Sequence, residues 1–403
     1  MPKRYFRKKN SLLLLKILFW VSLFIVFYSY LGYGLLLWVL NKFKKDRTVI
    51  LNAPEDPPTV TLVTAVYNEE AIIEQKVANT FAINYPTDKL RIIFIADGSG
   101  DRTVELLRKQ NGIHVLFEPE RKGKVAAINR AMLQVNSEIV VFCDGNTFLN
   151  PDCILNIVRH YNDPEVGAVA GEKKIIDSSA EKNIAGAGEG LYWKYESFLK
   201  RMDSKFYTVV GAAGELFSLR TRLFEAVDKN ILLDDFIISL NICKKGYRVV
   251  YEPEAYACEE PSMSLREEQK RKIRISAGGI QSVILLKDLL NIFKYGKLSF
   301  QYISHRVLRW IICPPLLPII LLLNIVIWHK TGEFVYQVIL AGQLLFYTAA
   351  IIGWVFTYFN IKLKPLYIPY YFFFMNMAMY LGLIRYLKKT QSVLWEKAER
   401  KIK

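Results

Sequence analysis

Residues 60–70 read VTLVTAVYNEE. Val60–Val66 is an apolar run short enough for a strand buried on both faces, and Tyr67-Asn68-Glu69-Glu70 ends it with polar groups. The same pattern recurs downstream. Leu90–Ala96 reads as a second strand, closed by Asp97-Gly98-Ser99-Gly100-Asp101. Ile113–Phe117 is a third, Ile139–Cys143 a fourth closed by Asp144-Gly145-Asn146, and Val166–Ala170 a fifth. Helical stretches lie between them: one capped by Asn68 and reaching Phe81, then Asp101–Gln110, then Gly123–Val135, and one begun by Asn150-Pro151. Apolar strands alternating with helices predict a parallel sheet covered on both faces. Such sheets bind ligands beyond the carboxyl ends of their strands.

The 403 residues are 52% hydrophobic, and much of that content is concentrated. Ile17–Leu40, Ile311–Trp328, Phe334–Phe359 and Leu366–Ile384 carry no charge, and each is long enough to span a hydrocarbon core. The net charge of +16 fits basic residues flanking membrane spans (Lys42, Lys44, Lys45, Arg306, Arg309) better than a nucleic-acid partner. Five scattered cysteines and four histidines show no metal-binding spacing, so the cysteines read as buried apolar residues of a reducing compartment.

Three acid-bearing turns therefore converge on one edge of one sheet. Each alone reads better as an N-cap or ordinary turn; together they point to a ligand site. Asp144 beside a diphosphate suits Mg²⁺ or Mn²⁺, held by one carboxylate and phosphate oxygens, with Asn146 as a weaker neutral ligand. Asp97 can accept hydrogen bonds from a base or ribose. Arg121-Lys122-Gly123-Lys124 opens a helix, where backbone N–H groups and Lys124 favour anions. Neither a Walker loop nor a GxGxxG fingerprint is present. Leu232-Leu233-Asp234-Asp235-Phe236 sets two carboxylates at a helix start, either as a helix-dipole pair or as a general base whose pKa is raised by its neighbour. Arg271 and Arg274, one turn apart in a basic helix from Ser264 to about Leu290, face either solvent or a departing diphosphate. Residues 291–309 alternate apolar and basic groups and are expected along the membrane surface.

This pattern resembles the membrane-bound family 2 glycosyltransferases, the group of cellulose, chitin and hyaluronan synthases, over nearly the whole chain. Tyr67-Asn68-Glu69-Glu70 resembles the donor-binding first loop. Asp97-Gly98-Ser99 with Asp101-Arg102-Thr103 resembles the aspartate motif that contacts uracil. Gly123-Lys124 with Ala127, Asn129 and Ala131 matches the Gly-Lys-x-x-Ala-x-Asn-x-Ala stretch. Asp144-Gly145-Asn146 occupies the DxD position, and Asp235 the place of the catalytic base, with Asp234 beside it. Two departures stand out. Asn146 replaces the second DxD aspartate. The QxxRW motif keeps its arginine as Arg274, but its tryptophan, which stacks on the acceptor sugar in polymerising members, is Ile275. Tyr192 and Trp193, in an aromatic stretch between the DxD position and the base, are candidates for the missing platform.

The resemblance implies an α/β GT-A fold, a Rossmann-like nucleotide-sugar domain with a mostly parallel sheet, plus transmembrane helices. The expected organisation is a basic tail and membrane helix (1–45), a linker (46–58), a cytoplasmic catalytic domain (59–262), basic amphipathic helices (263–309), a membrane region (310–387) and a basic tail (388–403). The implied reaction is inverting transfer from a nucleotide sugar, by resemblance a UDP-sugar, to a sugar-chain or lipid acceptor at the cell membrane. Exopolysaccharide synthesis is one expectation, loading a single sugar onto a lipid another, and a catalytically dead partner subunit a third. One span before the catalytic block and three after would place both basic tails outside, against the positive-inside tendency. One apolar segment is then expected not to cross, and Ile311–Trp328, with Pro314, Pro315 and Pro318, is the candidate.

Overall fold

A computed structural model describes residues 2–44, 56–175, 184–260, 265–359, 361 and 363–394. Most of the 46–58 linker and the basic tail from 395 onward lie outside the described residues, as do the side chains of the first nine residues. Eight strands build one sheet: β1 (Val60–Val66), β2 (Leu90–Asp97), β3 (His114–Glu118), β4 (Ile139–Asp144), β5 (Phe148–Leu149), β6 (Val166–Ile175), β7 (Leu216–Arg220) and β8 (Arg248–Glu259). Their order is β3-β2-β1-β4-β7-β6-β8-β5. All seven β1 residues are buried, as the apolar run requires. β1 pairs in parallel with both β2 and β4, so the strand order reverses at β1 and opens a crevice beyond its carboxyl end. Ala65 stands opposite Asp144 in that register.

The five expected strands are present. The second half departs from a parallel pattern because β7 enters antiparallel between β4 and β6. β7 is five residues long, begins one residue after the Gly211–Gly214 turn, and carries too short a pattern to declare its direction. β6 continues past Ala170 because β8 runs beside it to Glu259 across an irregularity at Gly171 and Glu172.

Two helix starts also differ from expectation. Asn68 does not cap a helix. It sits at φ 52°, and the helix begins at Ile73. The Gly100 N–H donates to Asn68 Oδ1 at 2.9 Å, so this side chain laces two loops together instead. Pro151 lies in the turn before the Cys153–Val158 helix rather than at its first position.

Among the described residues, four helices are long and apolar enough to cross a membrane: Asn10–Lys42, Lys297–Thr331, Phe334–Tyr358 and Pro365–Leu387. The second starts earlier than the sequence suggests, because residues from Lys297 onward join one helical run through a π-helical stretch at Ile303–Ile312. A second π-helical stretch, Tyr28–Gly32, faces it, with the Tyr28 hydroxyl 2.9 Å from Ser304 Oγ. Buried polar groups tie these helices to the sheet-bearing domain. The Tyr33 hydroxyl donates to Asp203 at 2.5 Å, and His305 Nδ1 lies 2.6 Å from the same carboxylate. Glu196 takes the Arg306 guanidinium at 2.7 Å. Breaking such buried pairs leaves an uncompensated charge, which makes the domain and its helices one packed unit.

Candidate active site

The loops at the ends of β1 and β2 brace one another. The Glu69 N–H donates to Thr103 Oγ1 at 2.7 Å and the Glu70 N–H to Asp101 Oδ2 at 3.1 Å. The Arg121 guanidinium lies 3.6 Å above the Tyr67 ring. Asp97, at the end of β2, is fully buried. Its two carboxylate oxygens accept from the Lys122 N–H (3.1 Å) and the Gly123 N–H (2.7 Å). Gly123 has φ 94°, a conformation glycine adopts without penalty, and Lys124 then opens the next helix. Asp97 thus shapes the turn that presents Lys124.

A cavity of about 1210 Å³ opens beyond the carboxyl ends of β1 and β4. It is lined by Tyr67, Glu69, Lys124, Asp144 and Asn146, and by Asp234, Asp235, Arg271, Arg274 and Ile275. Tyr192 and Trp193 also line it, with Glu196, Lys200, Arg306 and Trp310. Of the residues singled out from sequence, Asn68 and Asp97 do not line it, and neither do Glu70, Asp101, Arg121, Lys122 and Gly123 of the same turns. Arg385 and the 390–394 segment also line the cavity, although nothing in their sequence signals it.

Charge is dense in this cavity. Lys124 Nζ donates to Asp144 Oδ1 at 2.6 Å. A Cβ built on Gly214 would lie 2.9 Å from that ammonium and 3.4 Å from Asp235 Oδ2, so the glycine leaves room for both. Burial works against the Lys124 ammonium, yet the charges of Asp144, Asp234 and Asp235 outweigh it and hold its pKa above the ordinary lysine value. Burial also raises the Asp144 carboxyl, with Lys124 opposing. Asp235 is pushed up to about 7, first by burial and then by the Asp234 charge. Its Oδ1 accepts from the Phe236 N–H at 2.9 Å. Asp234 is buried, and its Oδ2 has no hydrogen-bond partner among the described residues.

Sequence reasoning missed Glu215, the residue after the Gly211–Gly214 turn. Burial disfavours its charge, but Lys173 at 2.8 Å and Arg271 at 3.8 Å outweigh this and lower it to about 2. A carboxylate next to a glycine turn is a faint signal without its partners. Tyr192 packs on the cluster of Tyr370, Tyr371 and Phe374, while ammonium groups of Lys173, Lys200 and Lys272 lie 5.0, 5.5 and 5.9 Å from the centre of the Trp193 ring.

Residues 61–228 match the family described as Glycosyl transferase family 2. Over those residues the chain resembles a family 2 glycosyltransferase domain. It is 28% identical over 246 residues to the poly-beta-1,6-N-acetyl-D-glucosamine synthase of Staphylococcus aureus (strain COL), covering 58% of this chain and 57% of that protein. The synthase of the same description from Staphylococcus epidermidis is 24% identical over 255 residues, covering 61% of this chain and 60% of the relative. The chain therefore matches somewhat more than half the length of these curated relatives. A solved mannosyltransferase from Pyrobaculum calidifontis, in complex with GDP-Man and Mn2+, superposes with a TM-score of 0.68 at 22% identity, over 92% of this chain and 99% of that one. The shared fold is GT-A, and the likeness extends across the apolar helices.

Proposed function

We propose that this glycosyltransferase moves a sugar from a nucleotide-sugar donor to a membrane-associated acceptor, and that it does so in exopolysaccharide synthesis. The observation that carries the reading is Asp235, a carboxyl raised to about 7, beside a Lys124–Asp144 pair in one cavity. Glu69 and Tyr67 would hold the nucleoside end, with Asn68 bracing their loop and Asp97 positioning Lys124. Lys124, Arg271 and Arg274 would bind the diphosphate. The acceptor hydroxyl attacks the anomeric carbon from the opposite face, its proton passes to Asp235, and the bond to the diphosphate breaks. A single displacement inverts the anomeric centre. Asp234 and the Tyr192–Trp193 pair would orient the acceptor.

The residues present suit a divalent cation, Mg²⁺ or Mn²⁺. Asp144 faces the cavity and already holds a cation, the Lys124 ammonium, at 2.6 Å. Asp144, with Asn146 as a weaker ligand, would hold the metal, whose chemistry is to neutralise charge growing on the leaving diphosphate. The Mn2+ of the mannosyltransferase with this fold supports the assignment.

Incubating membranes that contain the chain with labelled nucleotide sugars, UDP-GlcNAc and GDP-mannose among them, and sizing the product tests the reading. A high-molecular-weight polymer is expected. A single glycolipid would instead favour the second reading, which Ile275 supports by putting an aliphatic side chain where polymerising relatives carry an aromatic platform. No transfer from any donor would overturn both.

The free enzyme should show a base limb in its pH profile. Protonated Asp235 cannot accept a proton, so kcat/KM should climb about tenfold per pH unit below about 7 and level off above it. A profile flat through neutrality would remove Asp235 as the titrating base.

We also propose that the protein is multi-pass in the cell membrane with its catalytic side in the cytoplasm, where nucleotide sugars are made. Lys16 pairs with Glu333, so the start of the first apolar helix lies beside the turn before Phe334. Gly353, near the end of Phe334–Tyr358, packs against Leu366 and Tyr370, whereas Gly382 packs on Ser276 and Ala277 of the catalytic side. On that arrangement the helix that stays on the catalytic side is Pro365–Leu387, rather than Ile311–Trp328. A membrane-impermeant thiol reagent should then label Gln391→Cys only after cells are opened; labelling of intact cells would refute it.

A further inference from the structure

We infer that the membrane-facing end of the cavity is an anion subsite, built on Lys200, that takes the phosphate of a lipid-borne acceptor. The inference rests on the transfer reading above and holds whether one sugar or many are then added.

Lys200 lines the cavity, is 2% exposed, and its ammonium has no hydrogen-bond partner among the described residues. The acids described near it pair with other cations, although Glu196 Oε2 accepts no hydrogen bond among the described residues. Glu196, one turn before it on the same helix, is held by Arg306 at 2.7 Å, with His305 and Arg309 both at 3.5 Å. Asp203, three residues after it, is taken by Tyr33, Gln301 and His305. Lys173 holds Glu215 and Glu259, and Lys272 holds Glu268. What remains for Lys200 is the Trp193 ring, centred 5.5 Å away. A cation over an indole recovers only part of the hydration an ammonium loses on burial. A buried ammonium without a counterion, in the wall of a substrate cavity, calls for an anion brought by the ligand.

The surroundings say what carries that anion. Leu199, the neighbouring residue, packs on Tyr33 and Leu37 of the Asn10–Lys42 helix. A Cβ on Gly34 would come within 3.1 Å of both Leu199 and Phe198, so helix and domain meet at close contact here. Trp193 and Tyr192 line the cavity, and behind Tyr192 pack Tyr370, Tyr371 and Phe374 of the Pro365–Leu387 helix. A charged pocket near the Lys42 end of an apolar helix, with an aromatic cluster behind Tyr192, fits an amphiphile. Its phosphate meets Lys200, its hydrocarbon follows the apolar helices, and its reacting oxygen extends toward Asp235.

The test uses the full chain purified in a nonionic detergent and reads the melting temperature with dodecyl phosphate, inorganic phosphate or dodecanol added. Dodecyl phosphate is expected to raise the melting temperature of the wild type, since a ligand bound only to the folded state stabilises it. Lys200→Met should melt at or above the unliganded wild type, because it removes an uncompensated charge, and should bind dodecyl phosphate about tenfold or more weakly, as loss of a charge-assisted hydrogen bond implies. Lys200→Arg should retain the shift, and Lys200→Gln serves as the neutral variant if the methionine variant does not fold. Equal dodecyl phosphate affinity in wild type and the neutral variant would overturn the subsite. Inorganic phosphate binding as tightly as dodecyl phosphate would overturn the lipid carrier, and dodecanol doing so would overturn the anion. Failure of the transfer reading looks different: no sugar moves from any donor, whatever the alkyl phosphate does.

Discussion

Asp235→Asn should lower kcat by about a hundredfold or more, the usual contribution of a general base being about 10²–10⁴. Asparagine keeps the size of the side chain and can still accept the Phe236 N–H bond at 2.9 Å, so the helix start should survive. What it cannot do is take a proton. Donor affinity should barely change, because Lys124 pairs with Asp144 rather than with Asp235. The informative contrast is Asp234→Asn. Asp234 raises Asp235 by its charge, so neutralising it should lower the Asp235 pKa and shift the base limb of the rate profile to lower pH. It should not abolish turnover. An inactive Asp234→Asn beside an active Asp235→Asn would exchange the two assignments.

Asp144→Ala should abolish measurable transfer, and EDTA should silence the wild type until Mg²⁺ or Mn²⁺ is restored. The alanine variant loses the carboxylate at the end of β4 and also strips Lys124 of its 2.6 Å partner. Lys124 would then keep only the charges of Asp234 and Asp235, which draws it toward the base and away from the diphosphate. Asp144→Asn separates the two effects: it preserves shape but removes the charge a hard cation needs. Donor binding measured with and without metal provides the check. Full activity in EDTA would eliminate the metal, and a metal-dependent donor affinity unchanged in Asp144→Ala would move the metal site elsewhere.

Much of the catalytic end is legible in the amino-acid sequence. The runs at Val60–Val66, Leu90–Asp97 and Ile139–Asp144 are local patterns, and the acids after them fall at the carboxyl edge wherever those strands pair in parallel. Lys124, Asp144, Asp234 and Asp235 are readable for this reason. Asp97 reads in sequence as a group facing a ligand, and the fold turns it onto the backbone of Lys122 and Gly123. Its neighbours along the chain do not reveal that, because the turn it holds lies 25 residues away.

The sequence by itself determined the alternating sheet, the position of its acid-bearing turns and four apolar helices, because strand period, turn chemistry and span length are written within a few consecutive residues. Only the tertiary structure decided the antiparallel insertion of β7, the return of Arg385 and residues 390–394 to the cavity, and which charges are satisfied. Glu196 and Arg306 lie far apart in the chain, and their pairing, with that of Asp203, is what leaves Lys200 without a counterion among the described residues. The balance of a buried charge depends on which groups packing brings within a few ångströms of it, and local sequence carries no record of that.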